Sequence, residues 1–168
     1  MSENQKEVEA TDMKGRKFKV TVDAEHKATE LKIPTLTGAH MHAFHASWFG
    51  FFSTFFSTFA AAPLAGVLKD PSTLGLTRPQ LQMGNIASVT ANIVCRMLMG
   101  VVCDKMGPRK GLAFCLLITA PAILGMMFVQ SAGMFIAMRG IIGIGLASFV
   151  ACQVWCSQMF AKSVVGIA

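Results

Sequence analysis

Acidic residues are what this chain has least of. It holds nine Asp and Glu against fifteen Lys and Arg, and none of the acidic ones lies beyond Asp104. Charged residues make up 14% of the 168, where a soluble domain carries roughly 25%. That shortage argues against an ordinary water-soluble domain. Seven of the nine acidic residues and seven of the fifteen basic ones precede His40, so a polar tail stands ahead of an apolar remainder. No basic patch with interleaved aromatics accompanies the net charge of +6, which argues against nucleic-acid binding. No Cys-x-x-Cys pair is present. Cys95, Cys103, Cys115, Cys152 and Cys156 all fall within or at the ends of apolar stretches, as small packing residues rather than a disulfide or zinc framework. No apolar core follows Met1, so no signal peptide is expected. No nucleophile–base or metal constellation occurs in the apolar part, so the chain reads as no enzyme, with no cofactor. His40, His42 and His45 cluster near the start of that part. Imidazoles suit zinc or copper, but the favoured reading assigns them no metal.

What is present is hydrophobic: 53% of the residues, with a mean hydropathy of +0.52. Residues 1–42 read as a polar, flexible cytosolic arm, with one strand-like piece at Phe18-Lys-Val-Thr-Val22. Residues 43–168 read as an all-α membrane domain with spans over about 43–68, 84–103, 111–129 and 133–160. Each offers the roughly 20 apolar residues that cross a hydrocarbon core. Short connections make the four run up, down, up, down. Lys105, Arg109 and Lys110, with Lys27 and Lys32 of the tail, outweigh Lys69 and Arg78 on the other side, which puts the N-terminus in the cytosol.

Two arginines lie inside the expected spans. Arg96 is eight residues before Asp104, about 12 Å from that boundary at 1.5 Å per residue, and has no carboxylate in its own stretch. A lone cation at that depth costs about 2.5–3.5 kcal/mol on insertion scales and marks a substrate or ion pathway. Ser88, Asn92 and Arg96 recur at i, i+4 and i+8 and so share one helix face. Hydroxyl, amide and guanidinium together suit a planar, oxygen-rich anion. The competing reading pairs Arg96 with a carboxylate from another subunit. Arg139 is nearer the edge of its span, within reach of headgroups or a loop carbonyl, and reads as structural or gating. Ser47, Thr54 and Thr58 fall at helical spacing on the first span; bonding to their own helix backbone is favoured over lining a cavity.

The loop after the second span reads Gly100-Val-Val-Cys-Asp104-Lys-Met-Gly107-Pro-Arg109. It is a latch, not a catalytic site: Asp104 and Arg109 can bond each other and neighbouring helix ends. In the fourth span Arg139 is followed by Gly143, Gly145 and Ala147, a small-residue face for close helix approach. The loop resembles the G-x-x-x-D-x-x-G-x-R motif between the second and third spans of the major facilitator superfamily, and the Arg139–Ala147 run resembles that superfamily's fourth-span motif. More narrowly, residues 40–168 resemble the eukaryotic high-affinity members of the nitrate/nitrite porter family. The resemblance is carried by Phe44-His-Ala-Ser-Trp-Phe-Gly-Phe-Phe52, Ser57–Leu64, Gly84-Asn-Ile-Ala-Ser88, Arg96–Arg109 and Leu146–Gln153 with Trp155.

The resemblance implies the first four spans of a twelve-span transporter working by alternating access. It implies nitrate or nitrite held by Arg96, with Phe149 stacking on the planar anion and Gln153 one turn further in the same cavity. It also implies protons as the coupling ion, a plasma-membrane location and, in some members, an accessory membrane subunit. A fragment inactive on its own is the expectation for a chain with four of those spans. Two alternatives stay open: a transporter of another small anion in the same superfamily, and a non-transporting four-span scaffold.

Overall fold

A computed structural model describes residues 6–11, 17–23, 25–34, 36 and 38–167. Strands β1 (Lys6–Thr11) and β2 (Lys17–Val22) are followed by helices α1 (Ala39–Phe59), α2 (Ala65–Lys69), α3 (Arg78–Met106) and α4 (Pro108–Gly125). A 3-10 turn at Met126–Phe128 leads to α5 (Ala132–Gly145) and α6 (Ser148–Met159). The chain divides into two compact units, residues 1–49 with 152–168, and residues 50–151. The divisions fall within α1 and α6.

Helix ends follow local chemistry. Pro63 has no N–H, and its ring meets the carbonyl four residues back, which is Phe59, where α1 stops. The expected first span of 43–68 is therefore a helix, a turn and the short α2. Thr77 and Gln80 form a capping box at the start of α3, with the Thr77 N–H donating to Gln80 Oε1 at 2.9 Å. The loop expected over 104–110 is almost wholly helical, because α3 and α4 run on until only Gly107 separates them. Gly107 has φ +87°, a conformation that glycine adopts without the Cβ penalty, and Pro108 suits the first helical position after it.

The expected fourth span is interrupted. Leu146, Ala147, Phe149 and Val150 donate to carbonyls three residues back, at 3.0–3.3 Å, instead of four. Glycines at 140, 143 and 145 make the preceding segment a weak helix former, so the bend falls after them. Among the described residues three helical stretches are long and apolar enough to cross a membrane: Arg78–Met106, Pro108–Phe128 and Ala132–Met159. Helix α1 is not among them, because three histidines and five hydroxyl side chains dilute its hydropathy.

In the unit of residues 50–151 polar side chains share the interior with Leu112, Phe135 and Ile142, while many large apolar side chains lie at the surface. Thr54, Thr58, Ser88, Thr119, Arg139 and Ser148 are buried, whereas Phe56, Leu117 and Met127 are exposed. That distribution suits lipid, where small residues and hydrogen bonds hold helices together. A Cβ on Gly143 would collide with the Ser88 backbone, and one on Gly145 would lie 2.6 Å from Thr119 Oγ1. Hydrogen at these two positions lets α5 lie against α3 and α4.

In the other unit β1 and β2 pair antiparallel, with Val8 opposite Val20; the strand expected at 18–22 is β2. The Ala28 N–H donates to the Met159 carbonyl at 2.9 Å, and the Ala161 N–H donates to the Ala28 carbonyl at 2.9 Å. Ala28, Met41, Cys156 and Phe160 form a buried apolar cluster around this junction. All five cysteines are free thiols.

Candidate functional site

Helix α3 projects Arg96 toward α6. The guanidinium carbon lies 5.1 Å from the centroid of the Phe149 ring, a cation–π contact worth about 0.5–2 kcal/mol. Phe149 is braced from behind by Phe51, at 5.5 Å between centroids, and Phe51 meets Phe55 at 5.3 Å. Among the described residues no ion pair reaches Arg96, and its side chain is exposed. Its π face rests on Phe149 while its planar fork of N–H donors is open. Such a fork matches two oxygens of a planar oxyanion at once.

Asn92, one helical turn before Arg96, is half-buried, and its Oδ1 is buried without a hydrogen-bond partner. Ser88 is 3% exposed, and its backbone is the surface on which Gly143 rests. The structure thus brings Arg96 and Phe149 into contact, puts Asn92 beside them on α3, and spends Ser88 on helix packing. Gln153 is exposed and belongs to the other unit.

Arg139 has the opposite environment. It is 7% exposed, donates from Nη1 to the Thr58 carbonyl at 2.6 Å and from Nη2 to Asn85 Oδ1 at 2.9 Å. Its Nε is buried without a partner. Thr58 lies in the last turn of α1, where backbone carbonyls lack intrahelical partners. The arginine takes up that orphan acceptor and ties the end of α1 to α3 and α5. Nothing in residue order pointed to this role for Asn85, since its partner lies 54 positions away. Beside Asn85 is a cleft of about 240 Å³ lined by Lys69, Arg78, Leu81 and Gln82. Nearby, the Ser72 amide N–H donates to the Asp70 carboxylate, which lowers that group's pKa below its ordinary value.

The Thr54 and Thr58 hydroxyls of α1 are engaged, whereas Ser47 Oγ is buried with no hydrogen-bond partner among the described residues. Thr54 Oγ1 bonds the Phe51 carbonyl at 2.8 Å and the buried Ser148 hydroxyl at 3.0 Å, and Thr58 Oγ1 donates to the Thr54 carbonyl at 2.8 Å. Thr54 and Thr58 are buried with Ser148, as helix-packing groups.

In the latch segment, Asp104 and Arg109 are both exposed, and among the described residues no ion pair joins them. Each also opposes its own helix dipole, the carboxylate in the last turn of α3 and the guanidinium in the first turn of α4. Charges in those positions cost stability, so they serve something other than their own helices. Gly100 has no atom within 4 Å of where a Cβ would stand. Of the small-residue face, Gly143, Gly145 and Ala147 are all buried.

The model of the Major Facilitator Superfamily matches residues 47–168. Over 164 residues the chain is 42% identical to a protein of Oryza sativa subsp. japonica called high-affinity nitrate transporter 2.3, covering 96% of this chain and 31% of that one. It is 44% identical over 153 residues to high affinity nitrate transporter 2.5 of Arabidopsis thaliana, covering 91% and 30%. It is 41% identical over 161 residues to nitrate transporter 2.1 of Chlamydomonas reinhardtii, covering 96% and 29%. The chain therefore spans about three-tenths of the length of these curated relatives. No solved structure matches it.

Proposed function

The chain belongs to the major facilitator superfamily, and on that premise we propose that it forms the N-terminal wall of a nitrate or nitrite transporter. The observation that carries this reading is the Arg96 guanidinium lying on the Phe149 ring with its donor edge open. A planar anion at that edge meets a fork of charge-assisted donors, and the Asn92 amide stands one turn away. Similarity to the rice, Arabidopsis and Chlamydomonas transporters supports nitrate as the anion.

In this reading α1 is the first of four spans, and α5 with α6 is one kinked fourth span. The N-terminus is cytosolic and the membrane is the plasma membrane. The anion is taken up with protons by alternating access, and the residues facing Arg96 from the far side come from sequence beyond the stretch matched in the relatives. Asp104, Gly107 and Arg109 form the latch that such a movement makes and breaks. An accessory membrane subunit is a further partner in this scheme.

Nitrate uptake into proteoliposomes by the complete transporter carrying this sequence tests the assignment. Arg96→Ala should abolish uptake, and Arg96→Lys should impair it by losing the bidentate fork. Uptake undiminished by Arg96→Ala would sink it.

A further inference from the structure

The proposed anion site leaves the three histidines of α1, His40, His42 and His45, unused. His45 accepts the Trp48 indole N–H on its Nδ1 at 2.9 Å. An imidazole nitrogen that accepts has no hydrogen, so the neutral ring's proton sits on Nε2. That Nε2 is buried and, among the described residues, has no hydrogen-bond partner. The rings of Phe44 and Trp48 stand edge-on to the imidazole, at 5.3 and 6.4 Å between centroids.

Neither α1 nor α6 contains a carboxylate. The titratable groups on these helices, within the same unit as His45, are His40 and His42 on α1, and Cys152 and Cys156 on α6. Lys162 follows α6. His40 Nε2 lies 3.4 Å from the His26 carbonyl, and His42 Nδ1 lies 2.9 Å from the Gly38 carbonyl. In the tail Glu25 pairs with Lys27 and Glu30 with Lys32, while Asp23 accepts backbone N–H groups of residues 25 and 27.

We propose that His45 is a proton-binding site of the membrane domain and that protonating it expels the Trp48 indole from its hydrogen bond. A proton from water adds to the Nδ1 lone pair, forming one N–H bond and an imidazolium with a hydrogen on each nitrogen. The Trp48 N–H then faces a second donor and its bond breaks; loss of the proton restores it. No electron is transferred. As the proton step of the proposed symport the assignment rests on that reading, whereas the protonation of the pair does not.

Trp48 and Trp155 are the two tryptophans, so Trp155→Phe leaves Trp48 as sole reporter in the purified 168-residue chain in lipid nanodiscs. Its emission should change in one reversible step as the pH is lowered and the indole loses its acceptor. His45→Gln, whose amide still accepts from Trp48, should flatten the curve, and His42→Gln should leave it in place. A flat curve in the Trp155→Phe chain, or one that survives His45→Gln, overturns the proposal. In the complete transporter, His45→Gln should cut proton-driven nitrate uptake roughly tenfold and leave nitrate–nitrate exchange unchanged. Equal loss of both, or loss of neither, overturns the coupling role. Arg96→Ala should abolish uptake without moving the Trp48 titration, which separates failure of the anion site from failure of the proton site.

Discussion

Two cations on apolar helices meet opposite fates in this chain. Arg139 is buried, and both its Nη groups are spent on α1 and α3. Arg96 is exposed, has its guanidinium carbon 5.1 Å over the centroid of an aromatic ring, and among the described residues has no ion-pair partner. Depth along the helix pointed to a structural or gating Arg139 reaching headgroups or a loop carbonyl; the partners it meets are the Thr58 carbonyl and the Asn85 amide oxygen. The deciding factor is the supply of free acceptors. The end of α1 leaves a backbone carbonyl at Thr58, and Asn85 adds an amide oxygen, so a cation within reach is absorbed into the scaffold. Around Arg96 stand the Phe149 ring and, one turn back on α3, Asn92, whose unpartnered Oδ1 makes no bond to the guanidinium, so the charge is held without being neutralised.

The contrast can be broken by substitution. Replacing Arg139 with Leu strands the Asn85 oxygen and the Thr58 carbonyl in the interior, and should cost about 3–4 kcal/mol of unfolding free energy. Unfolding in mixed micelles would read it; a variant as stable as the parent would remove the scaffold role. Gly143→Ala forces α5 off the Ser88 backbone and should cost about 2–3 kcal/mol by the same measurement. Arg96→Ala tests the other arm. Stability should stay within about 0.5 kcal/mol while uptake disappears, and a loss of folding comparable to that of Arg139→Leu would erase the distinction. The smallest effect is expected at Phe149→Leu, which keeps an apolar neighbour but removes the π face. Apparent affinity for nitrate should fall by about 1 kcal/mol, as a roughly fivefold rise in the half-saturating concentration. No change there would mean that the ring merely fills space.

Much of the helical framework was legible from residue order alone. Long apolar runs set where α3, α4 and the α5–α6 segment stand, because each must satisfy its backbone polar groups within itself in lipid. Gly143 and Gly145 announced a close helix approach, and the structure supplies Ser88 and Thr119 as the groups approached. Other features were illegible because they depend on groups far apart in sequence. Arg139 is 81 positions from Thr58 and 54 from Asn85, and Ser148 is 94 from Thr54. The pinning of Ala28 to Met159 and Ala161 belongs to the same class. Polar residues of the tail gave no periodic signal for it.

The proposed anion site divides along the same line. Arg96 and Asn92 were placed on one face by helical period, which is local geometry. Phe149 was named from resemblance, and only the fold brings its ring under the guanidinium. Ser88 shared the period yet went to packing, because the face of a helix does not say which neighbour will cover it. The residues by themselves determined a set of apolar helices, the spacing of their polar groups, and two cations with no acid in the same span. Tertiary structure alone decided which cation was neutralised, which hydroxyls were buried, and where the fourth apolar run bends. Those outcomes turn on contacts between helices, and free acceptors and close approaches exist only once the helices have packed.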